Sequence, residues 1–502
     1  MSRALESEET LDPASWDDLR ALGHRMIEDM IDHLATVRER PAWRPMPPGI
    51  ASRLQQPLPL APEGAERAYA DFVEAVLPYP TGNTHPRFWG WVMGTGSGVG
   101  MLAEMLAAGM NCCVVGNDDA ASRVETQVIA WCKAMLGYPP EASGLLVSGG
   151  SVANLVGLAV ARSSRAGFDV RARGLTGASR RLTLYGSRET HSSVERAVEL
   201  LGLGGEALRK IPVDGEYRID LRALATSIAD DRAAGHQPLC VIGNAGTVNT
   251  GAFDDLTALA AIAEREGMWF HVDGAFGALA ALSPELRPRV AGMARADSLA
   301  FDLHKWMYMP YEVGCTLVRS EPEHRGAFAY QADYLAPPAR GLAARAPRFR
   351  DYGLQLSRGF LALKVWMCLK ADGVETYRRL IEQNVAQARY LARLIAAAPE
   401  LELLAPVPLN IVCFRYVGEG ARSSLTSSVP PTPSGSSEVY GDLDALNREL
   451  LCRLHESGVA VPSSTVLGGR YALRVAVANH RSRRADFDLL VREVVRLGRE
   501  LR

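Results

Sequence analysis

Apolar segments at Gly144–Val147, Arg181–Tyr185, Leu239–Gly243, Met268–Val272 and Ser298–Leu303 each run directly into polar or charged residues. Helical stretches separate them, and Val313–Val318 reads as a further strand. Strands alternating with helices from Gly144 to Arg319 predict an α/β fold with a mostly parallel sheet and crossover helices. Ligands of such sheets gather beyond the carboxyl ends of the strands. Ser148-Gly149-Gly150-Ser151, His191, Thr247, Asp273 and Lys305 all fall at such ends, so one edge of the sheet is expected to collect them.

The chain has 502 residues, of which 47% are hydrophobic, enough for a large core and more than one domain. The reading divides it into an N-terminal helical arm over 1–82, a large domain over 83–373 and a smaller α+β domain over 374–502. In the arm, Ser15–Arg40 has helical period, Pro41–Pro62 reads as extended loop and Glu63–Val76 as a second helix. Residues 422–437 are rich in Ser, Thr and Pro and read as a flexible insertion. A net charge of −2 gives no field favouring nucleic acid or an anionic membrane. The 8 cysteines are scattered, which suits neither a metal knuckle nor a disulfide framework. No metal is expected. The start lacks an apolar signal region, and cytoplasm is the expected location.

Lysine is scarce: only Lys133, Lys210, Lys305, Lys364 and Lys370 occur, against a Lys+Arg total of 55. A deprotonatable amine, which guanidinium cannot replace, is what forms a Schiff base with a carbonyl. Lys305 alone directly follows an apolar strand. A pyridoxal 5'-phosphate site needs a lysine, a carboxylate for the pyridinium nitrogen, and donors for the phosphate. Asp273 supplies the carboxylate. Ser148–Ser151 opens the apolar helix Val152–Ala161, whose N–H groups and dipole form an anion cradle. As nucleophile and base, Lys305 is expected to have a lowered pKa.

The motifs H-V-D-G-A at 271–275 and D-L-H-K-W at 302–306 resemble those of the group II pyridoxal-phosphate-dependent amino-acid decarboxylases, the aromatic-L-amino-acid decarboxylase group among them. The resemblance runs from about Ala68 to Lys370 and returns at L-R-V-A-V-A-N-H-R near the C-terminus. It implies a fold-type-I, aspartate-aminotransferase-like large domain, a homodimer, and decarboxylation of an L-amino acid to an amine. His191 in H-S-S-V-E-R-A matches the imidazole that lies against the cofactor ring, and Thr247 the residue that approaches the cofactor. Ala275 and His304, inside the two motifs, join the cofactor-binding set. H-P-R-F-W matches an element near the substrate, which puts Trp89, Trp91 and Met93 in the pocket. The segment from Asn117 to Ser122 departs from the family pattern and leaves the substrate open.

The Ala-, Arg-, Pro- and Gly-rich stretch before Gly353 reads as a lid. In the resembled family this loop carries a tyrosine that protonates the intermediate after CO2 leaves; phenylalanine there goes with release of aldehyde, ammonia and peroxide. An ungapped count backward from L-S-R-G-F-L-A-L-K assigns the position to Phe349, one gap moves it to Tyr352, and Tyr334 also lies in the loop. Aldehyde production is therefore an alternative to amine, and a catalytically idle cofactor-binding paralogue is another.

Overall fold

The computed structural model describes residues 9–330, 340–344, 348–419 and 437–502. Tyr334 and most of the expected 422–437 insertion lie outside the described residues. The described strands are β1 (Phe88–Trp89), β2 (Ser143–Val147), β3 (Leu182–Ser187), β4 (Leu208–Ile211), β5 (Gln237–Asn244), β6 (Trp269–Asp273), β7 (Ser298–Asp302), β8 (Gly314–Val318), β9 (Leu401–Leu403), β10 (Ile411–Tyr416), β11 (Val461–Leu467) and β12 (Arg470–Ala476). The larger sheet has the order β2-β8-β7-β6-β5-β3-β4, and the smaller β1-β11-β12-β10-β9.

In the larger sheet only β8 runs against its neighbours, pairing antiparallel with β2 and β7, while β7-β6-β5-β3-β4 pair in parallel. The central strands are buried along their whole length, which is why they read as continuous apolar runs rather than alternating ones. Val241 and Phe270 join a core with Ile129, Leu256 and Leu259 on one face. Trp269 and Ile242 join Leu158, Leu184 and Val194 on the other. The helix Gly150–Arg165 covers this second face with Leu158 and Val160, both fully buried.

The structure departs from the sequence reading where local pattern is thin. The first helix stops at Ala35, because Thr36 caps it and a short 3-10 turn, Val37–Glu39, follows. Pro48 opens a helical turn to Arg53 inside the stretch expected to be extended; proline at a helix start has no N–H to lose. β1, expected within the large domain, pairs in parallel with β11 of the smaller sheet. Among the described residues no helix is long and apolar enough to cross a membrane.

Several histidines are held neutral in this core. Burial pushes His271, His304 and His324 each down to about 4. Their folded pKa lies below the unfolded value of about 6.5, so the unfolded chain takes up protons first as pH falls. The stability they contribute is complete above pH ~6.5 and is lost as pH falls toward ~4, at about 1.4 kcal/mol per pH unit for each. Unfolding midpoints measured across that range are expected to fall steeply; a flat profile would refute this.

Candidate active site

Lys305 sits on the single helical turn Leu303–Trp306 that follows β7. The turn is fixed from several directions. The N–H groups of Leu303 and His304 both donate to the Val313 carbonyl, each at 3.1 Å. Trp306 and Tyr308 donate to Asn384 Oδ1 at 3.1 and 2.7 Å. Val313 N–H donates to His304 Nδ1 at 3.1 Å, leaving His304 Nε2 to carry the proton. The Lys305 side chain is 22% exposed and its Nζ lies 2.7 Å from Asp302 Oδ2. Burial works to lower the lysine pKa, but Asp302, with Asp273 and Tyr311 behind it, more than offsets this and the net shift is upward. The expectation of a lowered pKa is thereby corrected: it overlooked the carboxylate three residues earlier.

Asp273 ends β6, and its carboxylate is held by donors. Ala275 N–H donates to Oδ1 at 3.1 Å and Asn154 Nδ2 to Oδ2 at 3.0 Å. Behind Asn154 runs a buried chain whose direction is set by a group that can only donate. Trp269 Nε1 donates to Ser298 Oγ at 2.7 Å, so the serine hydroxyl turns its own hydrogen toward His271 Nδ1 at 2.8 Å. His271 Nε2 then donates to Asn154 Oδ1 at 2.9 Å, which turns the Asn154 amide nitrogen toward Asp273. The same nitrogen donates to Ser193 Oγ at 3.1 Å, and that hydroxyl reaches His191 Nδ1 at 2.8 Å. His191 also accepts from Ser193 N–H at Nδ1, so its Nε2 carries the proton. His191 is exposed, but neighbouring protein displaces part of its water and lowers its pKa, with Asp273 acting the other way.

Opposite Lys305, the helix Gly150–Arg165 begins without a side-chain cap. Its first N–H groups are therefore available to an anion, with Ser148 and Ser151 on either side. Space is short at both glycines: a Cβ on Gly150 would lie 2.8 Å from Asp302 Oδ2, and one on Gly149 would press on His304 Cε1 at 3.2 Å. An uncapped helix start, a lysine and a donor-held carboxylate at one sheet edge fit the phosphate, aldehyde and ring nitrogen of pyridoxal phosphate. Thr247, after β5, is buried with its hydroxyl 3.2 Å from Thr250 Oγ1 and accepting from Ala252 N–H.

The expected substrate wall is only partly in place. Trp89 is in the core of the smaller sheet, stacked on Phe487 at 4.8 Å and donating to Ser482, so it does not belong to the pocket. Met93 packs with Phe88, Ala42 and Val461. Trp91 is 57% exposed, and its carbonyl accepts from Arg474. Arg474, a residue the sequence reading passed over, is buried and also donates to the Val248 and Asn249 carbonyls, fastening this loop to the one after Thr247. Tyr311, whose ring lies 4.4 Å from that of His304, accepts from Gly94 N–H. A Cβ on Gly94 would overlap the His304 carbonyl. Gly94→Ala is expected to push the loop off the Lys305 turn and lower kcat/KM by about 100-fold, as roughly ångström-scale misplacement does. Steady-state kinetics test this, and wild-type values would refute the contact's importance.

Phe349 and Tyr352 require correction. Both are in a 3-10 turn packed into the core. Arg358 lies over the Phe349 ring at 5.3 Å. Tyr352 donates to Glu321 at 2.8 Å, and its carbonyl meets His324, which is bonded in turn to Ser143 at the amino end of β2. That places Tyr352 toward the end of the strand remote from the cradle, whereas the Arg358 over Phe349 donates to the Leu146 carbonyl, two residues before Ser148. An ungapped count through a segment without period placed them in the lid.

Residues 48–417 match the family model described as the pyridoxal-dependent decarboxylase conserved domain. An aromatic-L-amino-acid decarboxylase of Bacillus atrophaeus is 32% identical over 97% of both chains. The chain belongs to the pyridoxal-dependent decarboxylase family. This decarboxylase is also 29% identical to a phenylacetaldehyde synthase of Arabidopsis thaliana, over 94% of each chain. Its fold matches the crystal structure of Oryza sativa TDC with PLP and tryptamine, with TM-score 0.86 at 27% identity over 98% of this chain and 99% of that one. Mouse CSAD matches with TM-score 0.88 at 26% identity, over 97% and 99%. The decarboxylase is thus an α/β, fold-type-I, pyridoxal-phosphate-dependent carboxy-lyase acting on an amino acid.

The site also uses residues that had no assigned role. Asn154 was the one strongly polar residue in V-A-N-L-V-G-L-A-V-A, and that isolation was its signal. Asp302 stood inside the quoted D-L-H-K-W motif with no function attached.

Proposed function

We propose that the enzyme decarboxylates an aromatic L-amino acid to the corresponding amine, with Lys305 as the cofactor lysine. The observation that carries this is the meeting of Lys305, Asp273, His191 and the uncapped helix at Gly150 on one edge of the sheet. The aromatic side chain is supported by the names of relatives, among them tryptophan and tyrosine decarboxylases.

When bound, the cofactor accepts the electron pair left at the substrate Cα as CO2 departs. Asp273, already accepting from Asn154 and Ala275, holds a negative charge for the pyridinium nitrogen. The helix N-terminus with Ser148, Gly149, Gly150 and Ser151 holds the phosphate. His191, presenting its Nε2 edge to the cleft, holds the ring in place by packing, with Thr247, Ala275 and His304 completing the binding set. Trp91 excludes water from the substrate side. Lys305 would hold the cofactor aldehyde, and its amine is the group positioned to move a proton.

The packing of Phe349 under Arg358 supports the amine as product, because the aldehyde alternative rests on that residue acting from the lid. Tyr334, a tyrosine of the same stretch, is the proposed proton donor. Incubation of the cofactor-loaded enzyme with L-tryptophan, L-tyrosine, L-phenylalanine and non-aromatic amino acids, following CO2, amine, aldehyde and peroxide together, tests the reading. Aldehyde with peroxide would overturn the product assignment, preference for a non-aromatic substrate would overturn the specificity, and no CO2 would favour the idle paralogue.

We further propose a cytoplasmic homodimer. Trp16, Leu19 and Ile31 on the first helix and Met105, Leu106 and Met110 on the helix Gly98–Met110 are exposed apolar residues, more than a solvated face needs. The cysteines are all free, as in a reducing compartment. Sedimentation is expected to give the mass of two chains, and Leu19→Glu with Ile31→Glu that of one.

A further inference from the structure

Asp302 is nearly enclosed, with its side chain 1% exposed and its Oδ2 2.7 Å from Lys305 Nζ. Among the described residues no hydrogen-bond donor besides Lys305 reaches either oxygen, and the nearest other cation candidate, His304 Nε2, is 3.8 Å from Oδ1. Glycines close the space around it: a Cβ on Gly314 would lie 2.7 Å from Oδ1, and one on Gly150 2.8 Å from Oδ2. The carboxylate therefore lies against the first turn of the helix Gly150–Arg165, where the phosphate is to be held.

Such a carboxylate is well placed only while its lysine is charged. Once the Lys305 nitrogen reacts with an aldehyde, it no longer supplies the ammonium, and a buried anion without donors beside a phosphate is costly. The charged and titratable groups facing the pair are Asp273 at the end of β6, His191 before the helix Ser192–Leu200, His304 in the same turn and Tyr311 in the connection to β8. Of the two carboxylates, Asp273 has two neutral donors and Asp302 has none.

We infer that Asp302 is a catalytic proton acceptor for Lys305, taking the ammonium proton when the lysine reacts and returning it when the lysine is released. An Nζ–H bond breaks and an Oδ2–H bond forms. The ammonium and carboxylate become amine and carboxylic acid, so the pair keeps zero net charge and needs no co-reactant. The free amine then has the electron pair that attack on a carbonyl requires, although the resting lysine is held charged. The carboxylic acid donates toward the phosphate where a carboxylate would repel it. This inference rests on the reading of Lys305 as the cofactor lysine.

The test is infrared difference spectroscopy of the whole protein on addition of pyridoxal 5'-phosphate, with borohydride reduction and peptide mapping in parallel. The wild type is expected to gain the carbonyl stretch of a buried carboxylic acid, shifted in deuterium oxide. Asp302→Asn, which keeps the shape of the side chain, is expected to lack that band while borohydride still fixes the label on Lys305. The pH midpoint for the rate of cofactor capture by the apo variant is expected to move down by about one to three units, the scale of a close opposite charge removed. A label on Lys305 with no band in the wild type, or with the band retained in Asp302→Asn, overturns this inference alone. A label on another lysine overturns the reading of the site as well.

Discussion

Lys305→Ala is expected to reduce decarboxylation by about 10⁴-fold or more, the upper end of what a positioned proton-transfer group contributes, since it removes both the nucleophile and a base. Nothing nearby can replace it: of the other lysines, Lys364 is buried against Glu104 and the Glu312 carbonyl, Lys210 is paired with Glu195, Lys133 donates to the Pro140 and Ala142 carbonyls, and Lys370 lies over Trp366. The variant should still bind pyridoxal phosphate, because the helix start and Asp273 are unaltered, but borohydride should no longer fix it to the chain. Activity within about tenfold of wild type would transfer the role to another residue.

Arg358→Ala is expected to have the largest effect on stability. The guanidinium and Glu125 form an ion pair at 2.5 Å with side chains 2% and 0% exposed. Arg358 also donates to the Val114 and Leu146 carbonyls. Removing one member of a buried pair strands the other, at about 3–5 kcal/mol. Burial already pushes the Glu125 pKa up against the pull of Arg358, so without the arginine the glutamate should titrate higher still. Because Leu146 precedes the Ser148–Ser151 turn by two residues, cofactor affinity should fall as well. Denaturant unfolding and cofactor titration measure the two effects; a loss below about 1 kcal/mol would show that the pair merely offsets its own desolvation.

Much of this architecture was legible because a buried parallel strand is written as a short apolar run, and here each run ended on a residue with chemistry. β2, β5, β6 and β7 were found within two residues of their ends. β4 was missed because its middle residues, Arg209 and Lys210, are charged, pair with Asp231 and Glu195, and interrupt the apolar run. β11 was missed because V-P-S-S-T-V-L contains a proline and polar residues, which it tolerates beside the two-residue β1. Trp89 misled because an indole packs equally well in a core and a pocket, and only its partner Phe487, distant in sequence, decides between them. Neither the resting charge on Lys305 nor the part played by Asn154 could be read from strand ends, since both depend on which side chains meet across the fold.

The crowding of Gly94, Gly149, Gly150 and Gly314 around the Asp302–Lys305 turn divides the site by its tolerance of change. At these positions a single added methyl meets backbone, the His304 ring or a buried carboxylate, so sequence drift there is expected to cost function. Trp91, more than half exposed, with its ring beside Phe88 and its carbonyl held by Arg474, has room for other side chains. With Trp91 on the proposed substrate wall, directed evolution toward a new amino acid should accumulate changes there and leave the glycines fixed. Substrate range and chemical step are in this way separately adjustable within one scaffold.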